Sequence, residues 1–437
     1  MQTHMHIIGV LVLAGILVLG TVRPINLGAL SLVAAFIVGT VGFGSTVPEI
    51  LEPFPANLFV MLVGITYLFS VARASGTVDW MVEGAVRLTG NRAHVIPWVL
   101  FVLGLIICSI GAFSPAVAAM LAPIAMSFAV KYRLDPLLSS IVIGLGCIAG
   151  SFSPIAPLGL IVNSVGERSG IEVNPTVLYL GVLAMTTLVA VGTAVVLRLA
   201  HRSNASDDGD LSGEERFPVV GNSRPSGPGA MAAPTEVHRP GVENHVTLAG
   251  FVVLAIGGLV IGWDIGFLAL TIAVVLTLVF PGSSKNAMSE ISWGVILLIC
   301  GVLTYVGLLE ENGTVEWAGA KVATAGAPMI TALLILVVAA VASAAASTTG
   351  LLGMIVPLAV PFLATGHVSV VGFLIALAIS SSLVDLSPFS TGGAIYLANA
   401  PERWRPSLYR GLLKFTGAMV IVGPLVSWLL LVVPNWM

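Results

Sequence analysis

Two short polar motifs interrupt long apolar runs in this chain. Ser153-Pro154 lies in the run GSFSPIAPLGLI, and Ser387-Pro388 lies 234 residues later in the run VDLSPFSTGGAI. Serine is a preferred helix N-cap, and proline is favoured at the first helical position. Each motif therefore predicts that one helix stops and a new half-helix starts inside the apolar run. Free backbone N–H groups and the positive end of the helix dipole at such a start attract anions.

Two further interruptions have similar chemistry. Ser114-Pro115 occurs in GAFSPAV, and the related stretch ASTTGLL offers Ser347, Thr348, Thr349 and Gly350. One alternative is that these residues only kink a helix. Backbone groups left unpaired in lipid cost several kcal/mol, however, so true breaks must line a cavity or be covered by protein. We therefore expect four half-helix starts to converge near the middle of the membrane.

Asp385 is the one carboxylate inside the interrupted runs, and none of the four motifs contains a lysine or arginine. An ionisable group at membrane depth is costly, which makes it a candidate functional residue. A carboxylate next to an anion site repels the anion unless it is protonated or holds a cation. Asp385 therefore predicts coupling to Na⁺ or H⁺. The alternative is a structural carboxylate hydrogen-bonded to nearby backbone.

The amino-acid composition is typical of a membrane protein. The chain has 437 residues, 57% hydrophobic and 9% charged, and its mean hydropathy is +1.04. These values predict an all-α polytopic membrane protein in the lipid bilayer, because continuous apolar runs indicate helices and not barrel strands. The net charge of −3 does not suggest a nucleic-acid partner. No motif predicts a cofactor, and no metal is expected beyond Na⁺ as a possible coupling ion.

The two halves of the chain are related in sequence. Ser114 to Ile161 aligns without a gap on Thr348 to Ile395, with nine identities in 48 pairs, and SGTVDW recurs as NGTVEW. We predict two inverted repeats, each with five transmembrane helices, one of them broken, plus one re-entrant hairpin. The predicted parts are listed here in order: first repeat 1–200, with a hairpin at about 95–130 and a broken helix at about 136–165; disordered cytoplasmic linker 201–245; second repeat 246–437, with a hairpin at about 328–364 and a broken helix at about 368–400.

The basic residues predict the orientation of the chain in the membrane. If the N-terminus starts outside and both hairpins re-enter, 16 of the 18 lysines and arginines lie on the inner side, leaving Arg168 and Lys321 outside. Both termini are then expected outside the membrane.

The motifs are compatible with more than one class of function. A carrier of small organic anions fits the motifs best, and a cation/proton antiporter of the same architecture is the main alternative. An anion channel is less favoured, because no ring of filter carbonyls or charges is apparent. An intramembrane hydrolase, and enzymes generally, are not favoured, because the chain has no His-Glu-x-x-His motif and its seven histidines lie at ends and in loops.

The hairpins, the broken helices and the inverted five-helix halves resemble the ion transporter superfamily, which includes the divalent anion:sodium symporters. The N-terminal half is similar to the MatC type of malonate and dicarboxylate carrier. This resemblance covers the chain outside the linker. It implies a symporter of dicarboxylates such as malonate or succinate, a homodimer, elevator-type alternating access, and a location in the bacterial cytoplasmic membrane.

The resemblance also implies roles for individual residues. Hairpin tips would hold the substrate carboxylate and the cation, with the helix breaks opposite them. The residues implied for substrate are Ser114, Pro115, Ser153, Pro154, Thr348, Thr349, Gly350, Ser387, Pro388, Ser390 and Thr391, and those for the cation are Asp385, Ser151 and Ser347. The Ser-Asn-Thr tip signature of the symporters is replaced here by Phe113-Ser114-Pro115 and by Ser347-Thr348-Thr349.

Overall fold

A computed structural model describes the ranges 2–23, 25–87, 93–168, 173–206, 241–282, 284–323, 328–345, 348–363 and 368–434. These residues form nineteen α-helices with short 3₁₀ and π segments, and they contain no strand. The helices of the N-terminal half are α1 Gln2–Val22, α2 Leu27–Ile37, α3 Val47–Leu51, α4 Ala56–Ala74, α5 Thr77–Arg87, α6 Ile96–Ser109, α7 Ser114–Tyr132, α8 Pro136–Ser151, α9 Pro157–Arg168 and α10 Pro175–Ser206.

The C-terminal half has a closely similar order of elements. Its helices are α11 Val242–Ile256, α12 Ile265–Val279, α13 Trp293–Glu311, α14 Thr314–Ala323, α15 Pro328–Ala345, α16 Thr348–Leu363, α17 Val370–Ser382, α18 Thr391–Asn399 and α19 Arg405–Ser427. A 3₁₀ turn, Leu383–Leu386, continues α17 toward α18.

Six helical stretches among the described residues are long and apolar enough to cross a membrane, and eight shorter apolar helices accompany them. Many of their large apolar side chains are exposed on the surface of the molecule, as expected where the solvent is lipid. The prediction of an all-α polytopic membrane protein is confirmed.

Helix pairs occupy the positions where re-entrant hairpins and broken helices are predicted. The first predicted hairpin corresponds to α6 and α7, and the second to α15 and α16. The predicted broken helices correspond to α8 with α9 and to α17 with α18. The inverted orientation of the two halves stays a prediction.

The predicted linker is shortened at both ends. Helix α10 continues to Ser206, and α11 begins at Val242, so the segment between helices starts later and ends earlier than 201–245. Residues 207–240 lie outside the described residues.

Two amphipathic helices escaped the sequence analysis, which searched for apolar runs. Helices α5 and α14 begin just after the repeated SGTVDW and NGTVEW motifs start. Gly76 and Gly313 precede them in the left-handed region, with φ of +70° and +72°. Only glycine adopts that conformation without a steric penalty, so both glycines turn the chain from a spanning helix into an amphipathic one.

Two helix crossings join the halves at backbone contact. A Cβ built on Gly28 of α2 would lie 1.9 Å from Leu297 O of α13, and one on Gly301 would lie 2.2 Å from Gly28 O. The α4–α12 crossing is similar, since a Cβ on Gly64 would lie 2.4 Å from Gly266 O. These crossings form a firm frame of α2, α4, α12 and α13, which we call the scaffold.

Candidate functional site

A cavity of about 340 Å³ lies where the hairpin tips, the helix breaks and the scaffold meet. Its lining is drawn from six parts of the chain. The lining residues are Ile25, Asn26, Leu27, Phe113, Ser114, Pro115, Ile148, Ser151, Pro157, Leu158, Gly294, Val295, Leu298, Thr348, Thr349, Ser382, Asp385 and Thr391. The expected convergence of hairpin tips and breaks is therefore present in the structure.

The first break is a tight turn between α8 and α9. Ala156 N–H donates to Ser153 O at 2.9 Å, and Ile155 N–H donates to Ser153 Oγ at 3.3 Å. The Ser153 hydroxyl itself donates to Ser109 O at 2.6 Å, which fastens the break to the end of α6 in the first hairpin. Ser153 is buried but is not among the residues that line the cavity.

The second break repeats this turn with different side chains. Ser390 N–H donates to Ser387 O at 3.0 Å, and Phe389 N–H donates to Ser387 Oγ at 3.2 Å. The Ser390 hydroxyl contacts Asp385 O and also donates to Ser387 O at 2.8 Å. The backbone of this break is therefore held largely by its own side chains.

The predicted half-helix starts at Ser153-Pro154 and Ser387-Pro388 are wrong by three residues. Helix α9 begins at Pro157 and α18 begins at Thr391. The physical reason is that a Ser-Pro pair also suits the start of a turn, where proline fixes φ and the serine oxygen accepts an N–H two residues on. The Ser114-Pro115 start is at the expected place, although Phe113 is the N-cap and Ser114 is the first helical residue.

Free backbone N–H groups remain at both half-helix starts. In α9, Pro157 has no N–H, and Leu160 N–H is bonded to Ala156 O at 2.8 Å. This leaves the N–H groups of Leu158 and Gly159, which lack partners within the helix. In α18, Ser390 Oγ caps Gly393 N–H at 3.4 Å. Pro157, Leu158 and Thr391 all line the cavity, so both starts border it.

Thr348 lies at the second hairpin tip and lines the cavity together with Asp385. Its Oγ1 lies 2.8 Å from Ser343 Oγ and donates to Ser381 O at 3.4 Å. These bonds tie the tip to α15 and to α17, the helix that leads to Asp385.

Ser382 is a cavity residue that the sequence analysis missed. It is 1% exposed, and its hydroxyl has no hydrogen-bond partner. A buried hydroxyl without a partner is unfavourable unless a ligand or an ion satisfies it. Ser382 lies one helical turn before Asp385, a spacing that could have singled it out.

The scaffold wall of the cavity also lies outside the predicted set. Asn26 accepts N–H bonds from Gly28 at 2.9 Å and from Ala29 at 3.2 Å, and so caps α2. Its amide also donates to Gly294 O at 2.7 Å, which ties the start of α2 to the start of α13. No motif in the sequence marks this wall, because it forms only when two distant segments meet.

The charge of the cavity is unusual for an anion site. Among the described residues, its lining contains Asp385 and no lysine, arginine or histidine. Its polar groups are otherwise neutral, and most are hydroxyls. Helix N-termini therefore supply the positive electrostatic potential at this lining.

The predicted site residues fall into three groups. Seven line the cavity, namely Ser114, Pro115, Ser151, Thr348, Thr349, Asp385 and Thr391. Six lie beside it without lining it: Ser153, Pro154, Gly350, Ser387, Pro388 and Ser390. Ser347 lies outside the described residues.

The N-terminal part of the sequence matches a known protein family. Residues 1–151 match the family described as the dicarboxylate carrier protein MatC N-terminus. This stretch contains the first hairpin and ends at Ser151, a residue that lines the cavity. A search of curated proteins found no match to the chain. The match covers the first 151 of 437 residues, and together with the all-helical membrane architecture it supports a similarity to the MatC dicarboxylate carriers, a family of transporters and not of enzymes.

Proposed function

We propose that this protein is a secondary active transporter of small dicarboxylates, such as malonate or succinate, and that Na⁺ or H⁺ drives it. The substrate occupies the cavity, with its carboxylates at the starts of α7, α9, α16 and α18. The cation or proton sits with Asp385. The observation that carries this proposal is a cavity whose described lining combines hydroxyls and helix N-termini with a carboxylate and includes no basic side chain.

Charge balance explains why such a cavity needs a coupled cation. A dicarboxylate adds two negative charges to a site that already has Asp385. Helix N-termini carry about half a positive charge each, and that charge is offset in part by the polar groups around it. Binding without a cation would leave several negative charges together in a medium of low dielectric constant. Entry of Na⁺ or H⁺ with the substrate removes this penalty and couples the two movements.

The scaffold boundary supports an elevator-type movement. Glycine contacts hold α2 against α13 and α4 against α12 at backbone distance, so the scaffold resists deformation. Across the cavity, a Cβ on Gly350 would meet only side-chain methyl groups, at 3.3 Å from Leu27 and 3.5 Å from Leu298. Apolar surfaces without hydrogen bonds slide past each other more easily than interdigitated backbones. We propose that the hairpins and broken helices move along this boundary as one body.

We further propose that the carrier is a homodimer in a bacterial cytoplasmic membrane, with both termini outside. These assignments rest on the family resemblance and on the distribution of basic residues.

The test is uptake by the purified protein in proteoliposomes. A panel of C2 to C6 mono- and dicarboxylates is offered with an inward Na⁺ gradient, with a pH gradient, and with neither. We expect saturable accumulation of a short dicarboxylate that needs one of the two gradients. Na⁺/H⁺ exchange in the absence of any organic anion would instead identify a cation/proton antiporter, and non-saturating flux would identify a channel.

A further inference from the structure

A second, smaller concavity lies next to the cavity and shares a wall with it. Its volume is about 20 Å³, and it is lined by Thr66, Phe69, Ser70, Arg73, Phe113, Ala116, Glu290 and Ser292. Phe113 lines both spaces, so this half-buried side chain at the first hairpin tip separates them. The small space has room for about one or two water molecules.

The polar side of this concavity comes from a single stripe on α4. Thr66, Ser70 and Arg73 are spaced at i, i+4 and i+7, which places them on one face of the helix. The hydroxyls of Thr66 and Ser70 donate to backbone carbonyls one turn earlier, at 2.6 Å and 2.8 Å. Their lone pairs remain available to water. The hydroxyls of this stripe can therefore bind water along a path from Phe113 to the guanidinium group of Arg73.

The two spaces differ in charge. Of the residues that the structure describes, those lining the cavity include Asp385 and no cationic side chain, whereas those lining the small concavity include Arg73 and Glu290. Both residues are exposed, so a solute can reach them. A cation at the mouth of a low-dielectric path raises the local concentration of anions and so their rate of entry.

We propose that Arg73 forms an entry subsite for a carboxylate at the mouth of a path that runs along α4 and passes Phe113 into the cavity. This proposal rests on the proposed function. The substrate meets the guanidinium first, with one carboxylate toward Arg73, and passes inward when Phe113 moves. Glu290 opposes this step, because it repels the same anion. Arg73 therefore favours binding of the anion at the mouth, and Glu290 favours its release.

The test compares charge variants of the mouth. Arg73→Gln removes the cation, Arg73→Lys keeps it, and Glu290→Gln removes the opposing charge. Lys414→Gln is the matched control, because Lys414 is an exposed cation on α19 that lines neither space. Initial rates of dicarboxylate uptake are measured in right-side-out and in everted vesicles, at fixed Na⁺ and pH. Choline chloride varies the ionic strength from about 10 mM to about 1 M, over which the Debye length falls from about 30 Å to about 3 Å.

At low ionic strength we expect Arg73→Gln to raise the KM by about threefold or more from one membrane face only, and Glu290→Gln to lower it from that same face. Both effects should vanish at high salt, and Arg73→Lys and Lys414→Gln should resemble the wild type. Equal effects on both faces, or effects that persist at high salt, would overturn the subsite, because a purely structural role predicts them. Unchanged kinetics in Arg73→Gln would overturn it as well. Failure of the wild type itself to transport dicarboxylates would instead count against the proposed function.

Discussion

The two helix breaks have nearly the same backbone and very different side chains. In each, a serine starts a turn, and a glycine six residues on packs against that serine's carbonyl: a Cβ on Gly159 would lie 2.1 Å from Ser153 O, and one on Gly393 would lie 2.1 Å from Ser387 O. Yet the residue that precedes the turn is Ser151 in the first break and Asp385 in the second. The shared backbone geometry provides two helix N-termini, and the difference in side chains places a carboxylate beside the second one.

The side chains within the two turns also differ in exposure. Ile155 in the first break is 2% exposed, whereas Phe389 at the matching place in the second is 67% exposed. Ser153 is bonded to the first hairpin through Ser109 O, whereas Ser390 bonds within its own break. The first break is therefore tied to the first hairpin by a side-chain hydrogen bond, whereas the second exposes the Phe389 side chain on the surface of the protein.

The largest loss of stability is expected at the glycine–carbonyl contact that both breaks share. Gly159→Ala and Gly393→Ala should each destabilise the fold by about 3 kcal/mol or more, because the new methyl group meets a backbone carbonyl that cannot rotate away. Thermal unfolding in detergent measures the loss. Gly192→Ala and Gly417→Ala are the controls, since a Cβ at either helical position meets nothing within 4 Å. Near-wild-type stability of only one of the first two variants would show that the breaks are not equivalent in backbone.

A second prediction tests the hydroxyls that face the cavity. Ser382→Ala should raise the KM for dicarboxylate or for the driving cation about fivefold, the value of about 1 kcal/mol for one hydrogen bond. It should not lower stability, because the hydroxyl has no partner in the protein. The control is Ser381→Ala, whose buried hydroxyl donates to Leu377 O at 2.8 Å and lines no part of the cavity.

The same experiment at the first break has its own control. Ser151 lines the cavity, and its hydroxyl donates to Cys147 O at 2.8 Å, while Ser140 on the same helix makes the equivalent bond to Pro136 O without reaching the cavity. We expect Ser151→Ala to raise the KM less than Ser382→Ala does, because its proton is already used. A larger effect at Ser151 would reverse the assignment of roles to the two breaks.

The smallest effect concerns the caps of the half-helices. Ser390→Ala should destabilise the protein by about 1 kcal/mol or more, because Gly393 N–H loses its cap and the bond from the hydroxyl to Ser387 O is lost as well. Ala156 occupies the matching place in the first break and has no side-chain oxygen, so Ala156→Gly serves as a control that changes no cap bond. Thermal unfolding compares the two. An unchanged melting temperature in Ser390→Ala would mean that the cap contributes nothing to this half-helix.

Local patterns in the sequence predicted the breaks better than their exact ends. Apolar runs interrupted by Ser-Pro located both breaks, because helix disruption depends on a few neighbouring residues. The starts at Pro157 and Thr391 were missed, since the same Ser-Pro pair suits a turn and a cap. The distinction depends on Gly159 and Gly393 packing against the serine carbonyls, which is a tertiary contact.

Only part of the cavity wall could be predicted from the sequence. Asp385 was found because a lone carboxylate in an apolar run is conspicuous. Asn26 and Gly294 gave no signal, because their contact joins segments 268 residues apart. Ser382 resembles its neighbours Ser380 and Ser381 in sequence, and only the packing of α17 leaves its hydroxyl without a partner while Ser381 bonds to its own helix.

Gradient-driven accumulation by the Asp385→Asn variant tests the central claim most directly. The substitution keeps the shape of the side chain and removes the charge that we assign to the coupling cation or proton. Uptake of a short dicarboxylate is measured under an imposed Na⁺ or pH gradient, beside counterflow in the same vesicles, with Asp264→Asn at the exposed N-cap of α12 as the control. We expect Asp385→Asn to lose accumulation while substrate-for-substrate exchange continues, and Asp264→Asn to behave as the wild type. Wild-type accumulation by Asp385→Asn would contradict the account, because the second break would then hold no coupling charge.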